Sequence, residues 1–402
     1  MKKQIIETFL LCSLFLVLPV LAQAAPVITS VTAETTFAHG EVVNVSGSGF
    51  GSKTSQNGAQ PVAFGDMENS SVSARLGAWS NTTNMETSTL YNRNANSTNN
   101  ARCTLVDAGT GADSACYFSG GSDAAKWYTQ HWFYLGPDFS WGGATGFANN
   151  KVFRLWSTGS TQSNLSLVGP RDRGLLSVEF VDSSHGGWGT GWQPTSSSYT
   201  CLDQAFGHAC DSDYWDIYPA GLGWQNWATD MNKGTWHLWQ FEYQASDIDV
   251  SNGILRWWID GKPVFSHADI MTRSTAHPSN FRPYIIGMTA IHNNYGTGTE
   301  NDGATGEYFL DDAYIDNTWQ RIEIGNTANY NDCTLKEIQP ATLWNDDGII
   351  FNLNQGSFAA GSTGYLFITD ENGTRNAGFT ITFAPEVGDV TAPSAPSGLF
   401  VQ

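Results

Sequence analysis

Charge is what this 402-residue chain has least of: 14% of its residues are Asp, Glu, Lys or Arg, against roughly a quarter in an ordinary soluble protein. What charge there is leans one way, with 19 Lys plus Arg against 38 Asp plus Glu and a formal net charge of −19. No basic run interrupts that balance, which argues against nucleic acid or an anionic membrane surface as the partner. Beyond the first two dozen residues no stretch is apolar enough for a transmembrane helix. Cys-x-x-Cys and paired-His spacings are missing too, so a zinc site has no support. In their place stand 16 Trp, 14 Tyr, 22 Phe and 42 Gly, enough apolar material for a large core divided over two or three domains.

Residues 1–24 read as a secretory signal peptide. Lys2 and Lys3 supply the positive start, Phe9 to Leu21 the apolar stretch, and Ala22-Gln23-Ala24 the cleavage site. The expectation is a secreted, extracellular protein that begins after about Ala24. Cys12 leaves with the leader, and Cys103, Cys116, Cys201, Cys210 and Cys333 remain. In an oxidising compartment, Cys103 with Cys116 and Cys201 with Cys210 are the natural disulfides, each closing a polar loop. Cys333 is then a free thiol.

Short runs such as Glu41–Val45, Lys151–Trp156, Leu175–Phe180, Trp236–Tyr243 and Tyr365–Thr369 lie between Gly, Asn, Ser and Asp clusters. No capped segment repeats its apolar residues every 3.6 positions, so the fold class is all-β. Tryptophan divides the chain, because 15 of the 16 lie between residues 67 and 330. The flanks are poor in Trp and rich in small residues. Pro26-Val27-Ile28-Thr29-Ser30-Val31, followed by Val43-Asn44-Val45-Ser46-Gly47-Ser48-Gly49-Phe50-Gly51, resembles the opening half of an IPT/TIG immunoglobulin-like domain. The closing half resembles Trp344–Phe351, Gly364–Thr369 and Phe379–Phe383. The resemblance implies one Ig-like β-sandwich built from both flanks, 25–66 and 331–385, around an insert at 67–330. Residues 386–402, with Asp389-Val390-Thr391-Ala392-Pro393, look like a linker or the first strand of a fibronectin type III module.

The insert is similar to the concanavalin A-like two-sheet jelly roll of lectins, laminin G modules and polysaccharide lyases. The likeness rests on Gly253–Val264, where Trp257-Trp258-Ile259-Asp260-Gly261 gives a strand, a two-residue turn and a strand. It rests also on Glu307–Asp316 as the closing strand. Alternation puts Leu255, Trp257 and Ile259 on one face, and at least two of Trp236, Trp257 and Trp258 are expected in the core. Such domains often hold a structural Ca²⁺, for which Asp247 and Asp249, or Asp211 and Asp213, are the candidate ligands; solvated turn acids are the competing reading.

Three chemistries compete. A jelly-roll glycoside hydrolase needs carboxylates on alternate residues of one strand, and no such triplet exists. A lyase acting on a uronate polymer needs a group to neutralise the carboxylate, a base and an acid. His131 with Tyr134, and His292 with Tyr295, are the candidates, although a three-residue spacing in a strand points the pair to opposite faces. The Arg-x-Glu-x-Arg and Gln-x-His strands of alginate lyases are absent. Binding alone asks only for aromatic platforms with polar rims, and the loop tryptophans Trp188, Trp192, Trp215, Trp224 and Trp227 would provide them. The leading expectation is therefore a non-catalytic protein that binds a polysaccharide, a cell-surface glycan or another extracellular protein. A polysaccharide lyase is the alternative, and a structural subunit of an extracellular assembly the third reading.

Overall fold

The computed structural model describes residues 24–105, 114–119, 123–139, 148–157, 163–171, 175–182, 200–201, 215–218, 233–250, 252–270, 272–273, 275, 280–292 and 305–386. Among them the regular structure is strand, apart from one short 3₁₀ turn, Tyr330–Asp332. The all-β expectation holds. No helix of the described residues is long and apolar enough to cross a membrane.

Four antiparallel sheets form two sandwiches. In the smaller one, Val27–Ala33, Val42–Ser48, Gly348–Asn352 and Ala341–Trp344 make one sheet, in that order. The central pairing joins residues some three hundred apart, with Val43 opposite Phe351 and Val45 opposite Ile349. The facing sheet runs Lys336–Ile338, Arg321–Gly325, Thr363–Thr369, Phe379–Thr382. Apolar residues at alternate positions, among them Val43, Val45, Ile322, Ile324, Leu366 and Ile368, fill the space between. Phe50 is fully buried there, and Gly47 makes room for it: a Cβ at residue 47 would stand 2.5 Å from the Phe50 ring.

The larger sandwich has a nine-stranded and an eight-stranded sheet. Lys262–Ile270, Gly253–Ile259, Trp236–Gln244, Lys126–Leu135, Gly306–Asp316, Ala63–Gly65 and Leu76–Gly77 run across the first, with Asn100–Leu105 and Glu86–Ser88 beside Gly306–Asp316. The second runs Thr200–Cys201, Trp215–Tyr218, Leu175–Asp182, Ser163–Arg171, Ala148–Ser157, Phe281–His292, Ser114–Ser119, Asn81–Thr83. Their inner faces meet through Phe133, Phe241 and Trp257 on one side and Phe118, Phe153 and Ile286 on the other. The Phe153 and Phe241 rings lie 4.2 Å apart. The Cys103–Cys116 disulfide joins a strand of the nine-stranded sheet to one of the eight-stranded sheet. Cys333 is free and buried. Cys210 lies outside the described residues, as does the Cys201 side chain.

Strand membership changes at different points from those expected. Ala63–Gly65 pairs with Gly306–Asp316, and Arg321–Gly325 with Thr363–Thr369, so both changes of sandwich fall earlier in the chain than 67 and 330. The three residues Ala63-Phe64-Gly65 and a charged strand at 321–325 carry no compositional mark of the sheet they join. Of Trp236, Trp257 and Trp258, at least two of which were expected in the core, Trp257 alone is there, while Trp236 and Trp258 are half-buried.

Candidate functional site

The strand Lys126–Leu135 is buried on both faces from Trp127 onward. Its inner face meets the eight-stranded sheet, and its outer face meets the smaller sandwich. Tyr128 and Gln130 point to the outer side, where the Tyr128 hydroxyl donates to Gln130 Oε1 at 2.6 Å and Gln130 Nε2 donates to the Lys336 carbonyl at 3.2 Å. Beside them Glu242 receives Arg321 at 2.9 Å, Arg375 at 3.1 Å and Arg256 at 3.1 Å, and Arg321 also pairs with Glu323 at 2.8 Å. Burial pushes Glu242 upward, but those three guanidinium groups outweigh it and hold the carboxyl below its usual range. Glu323 is held down in the same way by Arg321, Lys336 and Arg375 against its burial. Burial lowers Lys336 to about 8, with Glu323 pulling the other way. These charges are structural, and they fix how the two sandwiches meet.

A second buried cluster lies farther along the same face. Arg93 reaches from the segment before Asn100–Leu105 to Asp311 at 3.3 Å, to Asp312 and to Glu337 at 2.7 Å. Burial raises Asp311 to about 6 against the pull of Arg93, and burial likewise raises Asp312. A cleft of about 50 Å³ opens beside them, lined also by His39, Asp66, Glu68 and Arg75. Its other acids are engaged as well: Asp66 pairs with Arg75 at 2.6 Å, and Glu68 accepts from the Thr98 amide at 2.9 Å. The cleft joins elements, and its acids are engaged; His39, exposed at its rim, is lowered by partial burial and by Arg75.

His131 is not available for catalysis from this position. It lies on the inner face, 3% exposed, with its ring 5.7 Å from Trp239. Nδ1 has no hydrogen-bond partner among the described residues, and burial lowers the imidazole to about 3. Tyr134 is on the other side of the strand, stacked under Tyr91 and beside Trp236. The pleat separates His131 from Tyr134, as their three-residue spacing implied, and the core takes the histidine, so the pair does not form one site.

The other candidates fall differently. His292 ends the strand Phe281–His292, opposite Ala148, and Tyr295 lies outside the described residues. Trp215 opens the strand Trp215–Tyr218, which corrects its assignment to a loop; a β-branched neighbour at Ile217 and aromatic ends suit an extended chain. Trp188, Trp192, Trp224 and Trp227 lie outside the described residues, as do Asp211 and Asp213. Asp247 and Asp249 serve their own loop. Asp247 Oδ2 accepts from Asn252 at 2.8 Å, and Asp249 accepts from the Thr275 amide at 2.9 Å and from the Thr275 hydroxyl. Among the described residues no group of three or more His, Cys, Asp and Glu is placed to hold a metal ion.

The eight-stranded sheet carries a signal that motif reading passed over. Ser163–Arg171, Ala148–Ser157, Phe281–His292 and Ser114–Ser119 are consecutive neighbours in it. Together they contain Lys151, Arg154, Arg171 and Arg282 and not one Asp or Glu. Trp156 pairs with Arg282, Arg154 with Ile285 and Lys151 with Thr289. Phe153, Leu155 and Ile286 take the core side, and Arg282 is exposed. Acid-free strands in so acidic a chain were visible in the sequence; that they are neighbours was not. The hydrogen bonds and ion pairs that tie the smaller sandwich to the larger, among the described residues, end on the nine-stranded sheet or the segments leading into it.

No protein family and no curated protein matches the chain. Thirty-three chains of solved structures do. They include an endo-β-1,4-glucuronan lyase from the fungus Trichoderma reesei, at 12% identity and TM-score 0.38, covering 59% of this chain and 90% of that one. The PL-14 alginate lyase from Aplysia kurodai matches at 12% and 0.37, covering 58% and 86%. The alginate lyase vAL-1 from Chlorella virus matches at 10% and 0.36, covering 59% and 92%.

Proposed function

We propose that this chain is an exported, polysaccharide-directed protein whose eight-stranded sheet engages a uronate-bearing polymer and cleaves it by β-elimination. The observation that carries the reading is the run of four neighbouring strands with Lys151, Arg154, Arg171 and Arg282 and no carboxylate, in a chain of net charge −19. A polyanion gains most where cations are gathered and like charge is kept away. In the elimination a base removes the proton at C5, the C4–O4 bond breaks, a C4=C5 double bond forms, and the leaving oxygen takes a proton. A guanidinium on the uronate carboxylate stabilises the charge that develops as the C5 proton leaves. His292, at the end of the acid-free strand Phe281–His292, is assigned as the base and Tyr295 as the acid. The flanks, joined through the pairing of Val42–Ser48 with Gly348–Asn352, are assigned to one IPT/TIG-like carrier domain.

Binding without cleavage is the second reading, favoured by the burial of His131, which leaves one candidate histidine base of the two. Alginate and polyglucuronate, mixed with the protein, separate the cases. A rise in the ultraviolet absorbance of the new double bond, lost in His292→Ala and reduced in Arg282→Ala, supports the lyase. Binding without that rise supports the second reading. Neither binding nor absorbance change with any uronate polymer overturns both.

A further inference from the structure

Leu90 and Tyr91 are 45% and 41% exposed, on the outer face of the nine-stranded sheet beside the smaller sandwich. Tyr91 is held there at a φ of 55°, in the left-handed region that a bulky residue rarely adopts. Something must hold it, and two contacts do. Trp236 Nε1 donates to the Tyr91 carbonyl at 2.9 Å. Two residues on, the Arg93 guanidinium is locked between Asp311, Asp312 and Glu337. The ring itself stacks on Tyr134 at 4.8 Å with an interplanar angle of 22°, and meets Phe309 edge-on at 5.2 Å. Trp236, half-buried, lies 5.3 Å from Tyr134. Gly234 puts no side chain over the Tyr134 hydroxyl: a Cβ there would stand 3.8 Å from it. Asn92 and Lys233, both exposed, supply polar groups on the same two segments.

We propose that Tyr91, backed by Tyr134 and Trp236, is a second polysaccharide contact, a platform for the C–H face of a pyranose ring on the side of the sandwich away from Ala148–Ser157 and Phe281–His292. This rests on the polysaccharide-directed reading above. Sugar rings stack on flat aromatic faces whose edges are polar, and a ring already immobilised loses little freedom when the ligand arrives. A fixed, outward tyrosine over a stack of aromatics meets both conditions. A contact on the far side adds to the hold on a long chain and leaves a short oligosaccharide untouched.

The variant Tyr91→Asn removes the ring while keeping a residue at home in the left-handed region, and Tyr91→Phe keeps the ring. Isotherms and cleavage rates are measured for native protein, both variants and Arg282→Ala, with long alginate, long polyglucuronate, a neutral β-glucan and uronate tetrasaccharides. The platform predicts a roughly tenfold weaker hold on the long chains in Tyr91→Asn, native behaviour in Tyr91→Phe, and unchanged handling of tetrasaccharides by both. Unchanged polymer affinity in Tyr91→Asn overturns the platform and leaves the sheet site standing if Arg282→Ala still weakens uronate binding. Equal losses on polymer and tetrasaccharide overturn it as a separate contact. A native protein that binds none of these polymers overturns the platform together with the reading on which it rests.

Discussion

Burial without a charged partner lowers His131 to about 3, whereas the same imidazole in an unfolded chain takes up a proton near 6.5. Unfolding therefore binds a proton wherever the pH lies between those values. The stability that neutral His131 allows is complete above about 6.5 and falls by roughly 1.4 kcal/mol per pH unit toward 3. Asp311 acts with the opposite sign. Its folded value of about 6 exceeds the unfolded one, so its share of stability is present at low pH and lost as pH rises through 6. The two must be separated by a variant. Urea unfolding of His131→Leu and native protein at pH 7 and pH 4.5 should show the variant gaining about 2–3 kcal/mol on the native chain at the lower pH. A difference that does not move with pH would mean that His131 reaches water. None of this was legible beforehand. In Gln130-His131-Trp132-Phe133-Tyr134 every residue is buried, so the polar and apolar positions do not alternate in a way that tells inside from outside.

At the scale of the element, the hairpin between Gly253–Ile259 and Lys262–Ile270 shows what local chemistry can specify. Asp260 and Gly261 have φ of 49° and 73°, as a two-residue turn matched to strand twist requires. The Asp260 carboxylate accepts from the Leu238 amide at 2.8 Å and lies 2.7 Å from His237 Nδ1, tying the turn to the next strand. Turn type and the one-sided burial of Leu255, Trp257 and Ile259 were legible because both depend on adjacent residues. The close approach of Gly261 to the smaller sandwich was not. A Cβ there would stand 2.1 Å from the Cys333 carbonyl oxygen, so Gly261→Ala combines backbone strain with a clash. It should cost at least about 1–2 kcal/mol, read as a lower melting temperature. The Cys103–Cys116 bond was legible from spacing in the same way, though not its position across two sheets. Replacing both cysteines by Ser should lower stability by about 3 kcal/mol in denaturant titrations under oxidising conditions. Under strong reductant the two proteins should unfold together.

For the molecule as a whole, the decisive contact is a layer of charge where a layer of hydrocarbon is usual. Glu242 and Arg321 are 79 positions apart in sequence and both fully buried. A charged residue in a strand reads as solvent-facing, and nothing nearby names its partner, so the layer could not be seen from the sequence. The same holds for Arg93 and Glu337, and for the acid-free strands whose adjacency only topology reveals. Arg321→Met would leave Glu242 and Glu323 short of a buried cation and should cost roughly 3–5 kcal/mol. Arg256→Met removes a partner that is 31% exposed and should cost less than about 1 kcal/mol. If the layer holds the two sandwiches as one cooperative unit, Arg321→Met should split a single calorimetric transition into two. A loss for Arg321→Met no larger than for Arg256→Met would show that water reaches the layer.

The pairing of Val43 with Phe351 and of Val45 with Ile349 also sets an order in time. Those first strands pair with each other, but about three hundred residues must follow before Val42–Ser48 meets its second partner. At ordinary elongation rates of ~5–20 residues per second, the delay is on the order of 15–60 s. Contacts this distant form late because a long loop must close first. For that interval the inner edge of Val42–Ser48 is bare, open to any other chain that offers a match. The sequences of the two strands suit the wait. VITSVTA and VVNVSGS never place more than two valines or isoleucines in a row before Thr, Ser, Asn or Gly intervenes, so neither makes the continuous apolar ribbon from which aggregates grow.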